Sequence, residues 1–372
     1  MKRSARFKVA AVAATFALTV AACGNGDGDG SNGDGDGHTD PATDSAETEE
    51  GDEGGEEAGG GDYVIGVSNT LAGNGWREQM ICSIQAESLA SGQVSEVVVF
   101  SENAGPTEQV QHLQTLISEG VDAIVVNPSD PEQLNGIIEE AVSQDIVVVA
   151  VDASVSTPEA YIVTNDQVEW GRIGMEWLAE EIGGSGDVLY MRGIEGVQSD
   201  TDRHEGVEAA LADYPDINLN TVWTSWDYTL GGEIAVQEFS ARDYDGVWTT
   251  GADYTVVNGI ESVGKDLVPV TGQDSSAFVG QLIDGAPGAV VTNPAVIGAV
   301  GTNVALRILN GEDVDQTTML TPALWTMENA AEEMEAAFDP DRGPDTSAAI
   351  DIDYPLEMTR EQLYACDGPS DG

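Results

Sequence analysis

The stretch LAGNGWREQM (residues 71–80) puts Asn74, Trp76 and Arg77 at a corner where a short β-like run, YVIGV, gives way to a helix-like one. Related groups recur beyond other apolar runs. Asp152 follows IVVVAV, Arg203 lies in the segment after GDVLYM, and Trp226 follows LNTVW. Asp253 and Asp274 follow DGVWT and LVPVT, and Thr292 closes GAVVT. Carboxylates, amides and guanidiniums are planar forks that bridge neighbouring hydroxyls, and charge-assisted bonds of this kind are worth ~1.5–3 kcal/mol each. Flat indole rings cover an apolar C–H face. Together these residues suit a small polyhydroxylated molecule such as a sugar. Each also has a plainer reading, since a strand-end Asp often caps a helix and an Arg often pairs with a carboxylate. Their shared position at strand ends is what singles them out.

That position follows from the alternation of elements. Runs that are apolar throughout, including EVVVF and AIVVN, suit strands buried on both faces of a parallel sheet. Between them lie helix candidates at 168–182, 202–213, 230–240 and 276–284. PTEQVQHLQTLISEG reads as a helix with Pro106 at its start, Val110, Leu113, Leu116 and Ile117 on one face, and Gly120 as its stop. His112 within it is expected to be exposed or capping, not a ligand. Further helices are expected at 295–310 and 328–338, with the last sixty residues less regular. Two sets of alternating strands and helices predict an α/β fold of two doubly wound parallel-sheet lobes. Open parallel sheets gather ligands beyond the carboxyl ends of their strands.

The chain has 372 residues, with 13 basic against 67 acidic residues and a net charge of -54. A polyanion of this size is a poor partner for nucleic acid or anionic lipid headgroups. Residues 1–23 read as an export signal, with Lys2, Arg3, Arg6 and Lys8 before an apolar run too short to span a bilayer. The segment 24–62 is Gly, Asp, Glu, Ser and Thr with little to bury, and is expected to be a disordered acidic tether. Before Tyr63 lie 14 of the 67 acidic and 4 of the 13 basic residues, which leaves the body 53 and 9, a net of -44. That surface matches either a halophilic protein or a merely acidic one. If Cys23 carries lipid, Cys82 and Cys366 remain, an even pair in a disulfide-permissive setting whose bond would tie the tail to the first helix.

VAAC at residues 20–23 resembles the lipobox of bacterial lipoproteins, which implies lipidation of Cys23 and anchoring on the outer face of the cytoplasmic membrane. From about Tyr63 to Asn310 the chain resembles the type I periplasmic binding proteins, in particular the ribose and galactose group of ABC importers. GVSNTLAGNGWREQM, LISEGVDAIVVNPSDPEQL, IVVVAVDASV, VTNDQVEWGRIGMEWL, GIEGVQSDTDRHEGVEAAL and VTNPAVIGAVGTNVALRIL carry the resemblance, in order and spacing. It implies two lobes joined by a three-strand hinge, with crossovers near 163–166, 292–294 and 318. The N-terminal lobe is then 63–163 plus about 293–318, and the C-terminal lobe 164–292 plus part of 319–372. It implies ligand contacts at Asn74, Trp76, Arg77, Asp152, Arg203, Trp226, Asp253, Asp274 and Thr292, and a monomer that delivers a monosaccharide or similar ligand to ABC permease and ATPase subunits. Ribose binders commonly have arginine at Ala153, asparagine at Ala252 and glutamine at Thr292, so the departures point away from ribose itself.

No cofactor, metal site or enzymatic activity is expected. GxxxxGK[ST], GxSxG and HExxH are absent, and His38, His112 and His204 are scattered. The glycines of GNGDGDGSNGDGDG mimic a dinucleotide fingerprint only through low complexity. Two alternatives remain: a receptor subunit signalling to a membrane kinase, and a glycoside-processing enzyme built on paired aspartates. Transcriptional regulation is disfavoured, because a lipobox and tether stand where a DNA-reading headpiece would be.

Overall fold

The computed structural model describes residues 61–366; the expected export signal, Cys23 and nearly all of the expected tether lie outside them. The first sheet is built from β1 (Tyr63–Asn69), β2 (Val94–Ser101), β3 (Ala123–Val126), β4 (Val147–Val151), β5 (Tyr161–Asn165) and β11 (Thr317–Leu320). Its order is β11-β5-β4-β3-β1-β2, and every pairing is parallel. The second sheet takes β6 (Ser185–Arg192), β7 (Asp216–Trp223), β8 (Gly246–Thr249), β9 (Val270–Gln273), β10 (Gly288–Val291) and β12 (Leu324–Trp325). Its order, β12-β10-β9-β8-β6-β7, repeats the first, except that β12 runs antiparallel. The apolar runs form strands because helices cover both faces: β3 and β8 are buried at every position.

The first sheet is flanked by α1 (Gly75–Ser91), α2 (Pro106–Glu119), α3 (Asn135–Val142) and α9 (Ile297–Leu309). The second carries α4 (Gln167–Glu181), α5 (Gln198–Leu211), α6 (Tyr228–Ala241), α7 (Asp253–Ser262) and α8 (Ser276–Ile283). The chain passes between sheets from β5 into α4, from β10 into α9 and from β11 into β12. The third passage lies at 321–323, a few residues past the expected 318, because Thr317–Leu320 adds an edge strand to the first sheet before crossing.

Other departures have local causes. LVPVT does not pair from Leu267. Pro269 has no N–H to give, its carbonyl accepts from Val247, and the strand runs from Val270 to Gln273. His112 is buried: its ring stacks on Phe100 with centroids 5.1 Å apart, and Nε2 lies 2.6 Å from Glu102. Cys82 and Cys366 are bonded to each other, with Cα atoms 4.5 Å apart. The tail adds α10 (Ala331–Ala337) against α8, and α11 (Arg360–Ala365) against α1. Among the described residues no helix is long and apolar enough to cross a membrane.

Asp253 and Asp274, both expected in the cleft, are fully buried beneath it. Asp253 opens α7 and accepts from Ser275 Oγ and from the backbone N–H groups of Tyr254 and Gln273. Asp274 accepts from the Asn293 N–H at 2.9 Å and from Ser347 Oγ at 2.6 Å. Thr292 is also turned to the scaffold: its hydroxyl accepts from Ala323 N–H at 2.8 Å and holds the third crossing. A strand-end side chain next to a new helix or a crossing meets unpaired N–H groups first, and these three satisfy them.

The close pairing of α4 with α5 sets the position of Arg203. A Cβ on Gly171 would lie 2.0 Å from the carbonyl oxygen of Arg203, and one on Gly206 1.9 Å from that of Val168. Both glycines are therefore required for the two backbones to touch, and this contact fixes where Arg203 leaves α5. Gly171→Ala is expected to cost ~1–3 kcal/mol by overpacking; urea unfolding indistinguishable from wild type would contradict it.

Burial raises Asp253 and Asp274 to about 6 from an ordinary 3.8, against the opposing effect of their hydrogen bonds. Both groups thus stay protonated in the folded chain at pH values where the unfolded chain has released those protons. Their contribution to stability therefore falls as pH rises from about 4 to about 6 and is level above that. Asp274→Asn keeps an acceptor and a donor at the site, and its stability is expected to decline less than that of wild type between pH 4 and pH 7. Identical slopes in urea unfolding across that range would refute the assignment.

Candidate functional site

The carboxyl ends of the two sheets face each other across a cleft, and six of the nine expected residues meet there. Asn74 caps α1, its Oδ1 accepting from Arg77 N–H at 3.2 Å. Its Nδ2 donates to the Trp226 carbonyl of the other lobe at 3.0 Å. Trp76 Nε1 donates to the Asn293 carbonyl at 2.6 Å, which fixes the ring against the second crossing. The Arg77 guanidinium stands between the indoles, 5.3 Å from the centroid of Trp76 and 5.7 Å from that of Trp226. Its Nη2 lies 3.9 Å from Asp152 Oδ2, and its Nη1 is buried with no protein hydrogen-bond partner.

Backbone conformation aims the groups from the strand ends. Asp152, directly after β4, has φ +66°, and Ser225 and Trp226 after β7 have +55° and +54°. Such left-handed conformations are uncommon outside glycine and concentrate where a side chain must be redirected. At Asp152 the turn keeps its N–H on the Val163 carbonyl. At Trp226 the indole folds back over Gly193, where a Cβ would lie 2.1 Å from the ring, so only glycine leaves room.

Arg203 comes from the far wall and is 3 % exposed, against 6 % for Arg77. Its Nε donates to Gln167 Oε1 at 2.7 Å, its Nη1 donates to Thr250, and its guanidinium lies over Trp170. Burial lowers the affinity of both arginines for their protons. At Arg77 this is opposed by Asp152; at Arg203 it is opposed by Asp152, Asp200 and Asp274 and reinforced by Arg77. Neutral amides complete the cluster. Gln167 Nε2 and Asn293 Nδ2 each donate to Asp152 Oδ1 at 3.3 Å, so Gln167 joins the carboxylate of one lobe to the guanidinium of the other.

The central cavity measures about 30 Å³ and is lined by Trp76, Arg77, Asp152, Arg203 and Trp226, with Asn293 at the hinge side. Ser199, Tyr228 and Gln273 also line it and, like Gln167, were not anticipated. Amides and hydroxyls are common throughout the sequence, so only position flags them: Tyr228 lies two residues after Trp226, and Gln273 precedes Asp274. Small-molecule pockets begin near ~300 Å³, so the cleft is shut closely around these side chains in this arrangement. Wider spaces of about 510 Å³ and 310 Å³ flank the cavity, and Trp226 borders all three. Among the described residues no group of three or more His, Cys, Asp or Glu side chains is placed to hold a metal ion.

Comparison with known proteins agrees with this geometry. The chain is 27% identical over 285 residues to a xylitol-binding protein of Mycolicibacterium smegmatis, covering 73% of this chain and 78% of the relative. It is 23% identical over 266 residues to the ribose import binding protein RbsB of Bacillus subtilis, covering 69% and 85%. Its fold superposes on an ABC transporter solute binding protein from Thermobispora bispora with a TM-score of 0.71 and 25% identity, over 82% of this chain and 94% of that one. Residues 65–313 match the family described as Periplasmic binding protein domain. With its two parallel sheets, three crossings and a cleft at the strand ends, the chain belongs to the periplasmic binding protein family, in its type I form.

Proposed function

We propose that this protein is the extracytoplasmic solute-binding component of an ABC importer, holding a monosaccharide or an acyclic polyol between its lobes. The observation that carries the reading is Arg77: a buried guanidinium bracketed by two indoles from opposite lobes, with Nη1 lacking an acceptor. An unpaired buried cationic donor is costly, and a ligand hydroxyl oxygen supplies what it lacks. The indoles cover the C–H face of such a ligand. Asp152 accepts from its hydroxyls, and Arg203 and Gln273 grip it from the second lobe. Relatives named for xylitol and ribose support this chemical class.

The mechanism follows from where these groups are attached. Asn74, Trp76, Arg77 and Asp152 belong to the first sheet's lobe, and Ser199, Arg203, Trp226 and Gln273 to the second's. A ligand touching both sets favours the closed arrangement through contacts that the open one lacks. The closed surface is then what the permease recognises, and the protein performs no chemistry on its cargo. A lipid on Cys23 would hold it at the outer face of the membrane, with the acidic segment as a leash; Cys23→Ser is expected to release the protein from the membrane fraction, and unchanged fractionation would count against the anchor.

Ligand at ~100 times its dissociation constant adds about 2.7 kcal/mol to apparent stability. A thermal-shift panel of D-ribose, L-arabinose, D-fructose, xylitol and myo-inositol is therefore expected to contain at least one member that raises the melting temperature. By calorimetry, Arg77→Ala and Arg203→Ala should each weaken that member at least tenfold, or ~1.4 kcal/mol. No shift across pentoses, hexoses and polyols, or full affinity in both variants, would overturn the reading.

A further inference from the structure

Residues 326–366 add something that two sheets and three crossings do not require. The tail first joins the second lobe, where Met334, Ala337, Ala348 and Ile350 enter its core. Residues 344–348 are hydrogen-bonded along the turn between β9 and α8: Ala277 N–H donates to the Pro344 carbonyl at 3.0 Å, Ser276 N–H to that of Thr346 at 2.7 Å, and Ala348 N–H to that of Asp274 at 2.7 Å. Ser347 Oγ closes the set on Asp274 Oδ2. The chain then crosses between lobes a fourth time. Ile352, Tyr354 and Leu356 pack on the first lobe's core, the Glu87 carboxylate accepts from the N–H groups of Glu357 and Met358, and Cys366 ends on Cys82 of α1. This crossing lies at the hinge side, since Val296 and residues 349–352 border one cavity.

From the segment held on the second lobe, Asp345 reaches the first. Its Oδ2 accepts from the Gly75 N–H at 2.8 Å. Gly75 is the first residue of α1, next to Trp76 and Arg77. A Cβ on Gly75 would lie 2.7 Å from the Asp345 carboxylate, so glycine is what permits the approach. The first N–H groups of a helix have no partner within it, and a carboxylate there also meets the positive end of the helix dipole. We propose that Asp345 is an inter-lobe latch, a positioning residue that fastens the start of α1 to the second lobe when the cleft is shut and so retains ligand without touching it. The latch rests on the lobe-closure reading above. Its two halves are carried by different lobes, so parting the lobes breaks the bond and returns both groups to water.

Nitroxide labels on Gln114→Cys in α2 and Gln237→Cys in α6, both exposed positions, report the inter-lobe distance in the full chain. Measurements are made without sugar and with saturating xylitol or D-ribose. Asp345→Ala is expected to lower the ratio of short to long distances about fivefold, the scale of a lost helix cap. Asp345→Asn keeps an acceptor oxygen and should retain most of the short-distance population. An unchanged distribution in Asp345→Ala, or equal opening by both variants, would overturn the latch. A purely structural role would instead lower the melting temperature without changing the ratio, which also overturns it. If neither sugar moves the wild-type distribution, that outcome counts against the choice of ligand class; the latch is judged on variant against wild type.

Discussion

The protein buries two guanidiniums, Arg77 and Arg203, around one carboxylate, Asp152, in the gap between its lobes. Removing charge from water is expensive unless each group is paired or hydrogen-bonded. Most of the local architecture can be read as meeting that cost. Gln167 and Asn293 saturate Asp152 Oδ1, Gln167 and Thr250 hold Arg203, and Trp170 supports its guanidinium face. Arg77 is the exception, with a buried Nη1 that the protein leaves unanswered. Cationic groups are scarce in this acidic chain, and two of them are committed to one buried gap, which is why the proposed function centres on it.

The same cluster couples chemistry to motion. Gln167 follows the first crossing and Asn293 lies in the second, so amides that contact Asp152 sit on the segments that must bend. Asn165 Nδ2 donates to Asn293 Oδ1 and ties the two crossings together. In the proposed mechanism ligand contacts and hinge geometry are therefore not separable, because a group that repositions Asp152 bears on both. The tail adds a fourth passage near the same axis, pinned at its end by the Cys82–Cys366 bond. Because it crosses close to the hinge, it is compatible with rotation of the lobes.

Much of this was legible in the sequence, for identifiable reasons. Runs such as AIVVN and IVVVAV announce strands because a sheet covered on both faces tolerates no polar position. Asn74, Trp76, Arg77, Asp152, Arg203 and Trp226 could be singled out because the fold class places the segments after strands, and the first turns of the helices that follow, at one end of each sheet. Asp253, Asp274 and Thr292 satisfy the same rule yet serve the scaffold, and the difference depends on partners such as Ser347, 73 residues from Asp274, and Ala323. Gln167, Gln273 and Asn293 carry no charge and sit at ordinary element ends and in a crossing, so only the folded arrangement shows their use. The edge strands Thr317–Leu320 and Leu324–Trp325 are short and mixed in polarity, and the tail reads as irregular because its order comes from packing against both lobes.

Crystals of the protein grown with xylitol or D-ribose test the central claim most directly. The account predicts a sugar in the gap between the lobes, with one oxygen within ~3 Å of Arg77 Nη1 and others reaching Asp152 and Arg203. A sugar bound elsewhere, with Arg77 Nη1 still lacking an acceptor, would contradict it.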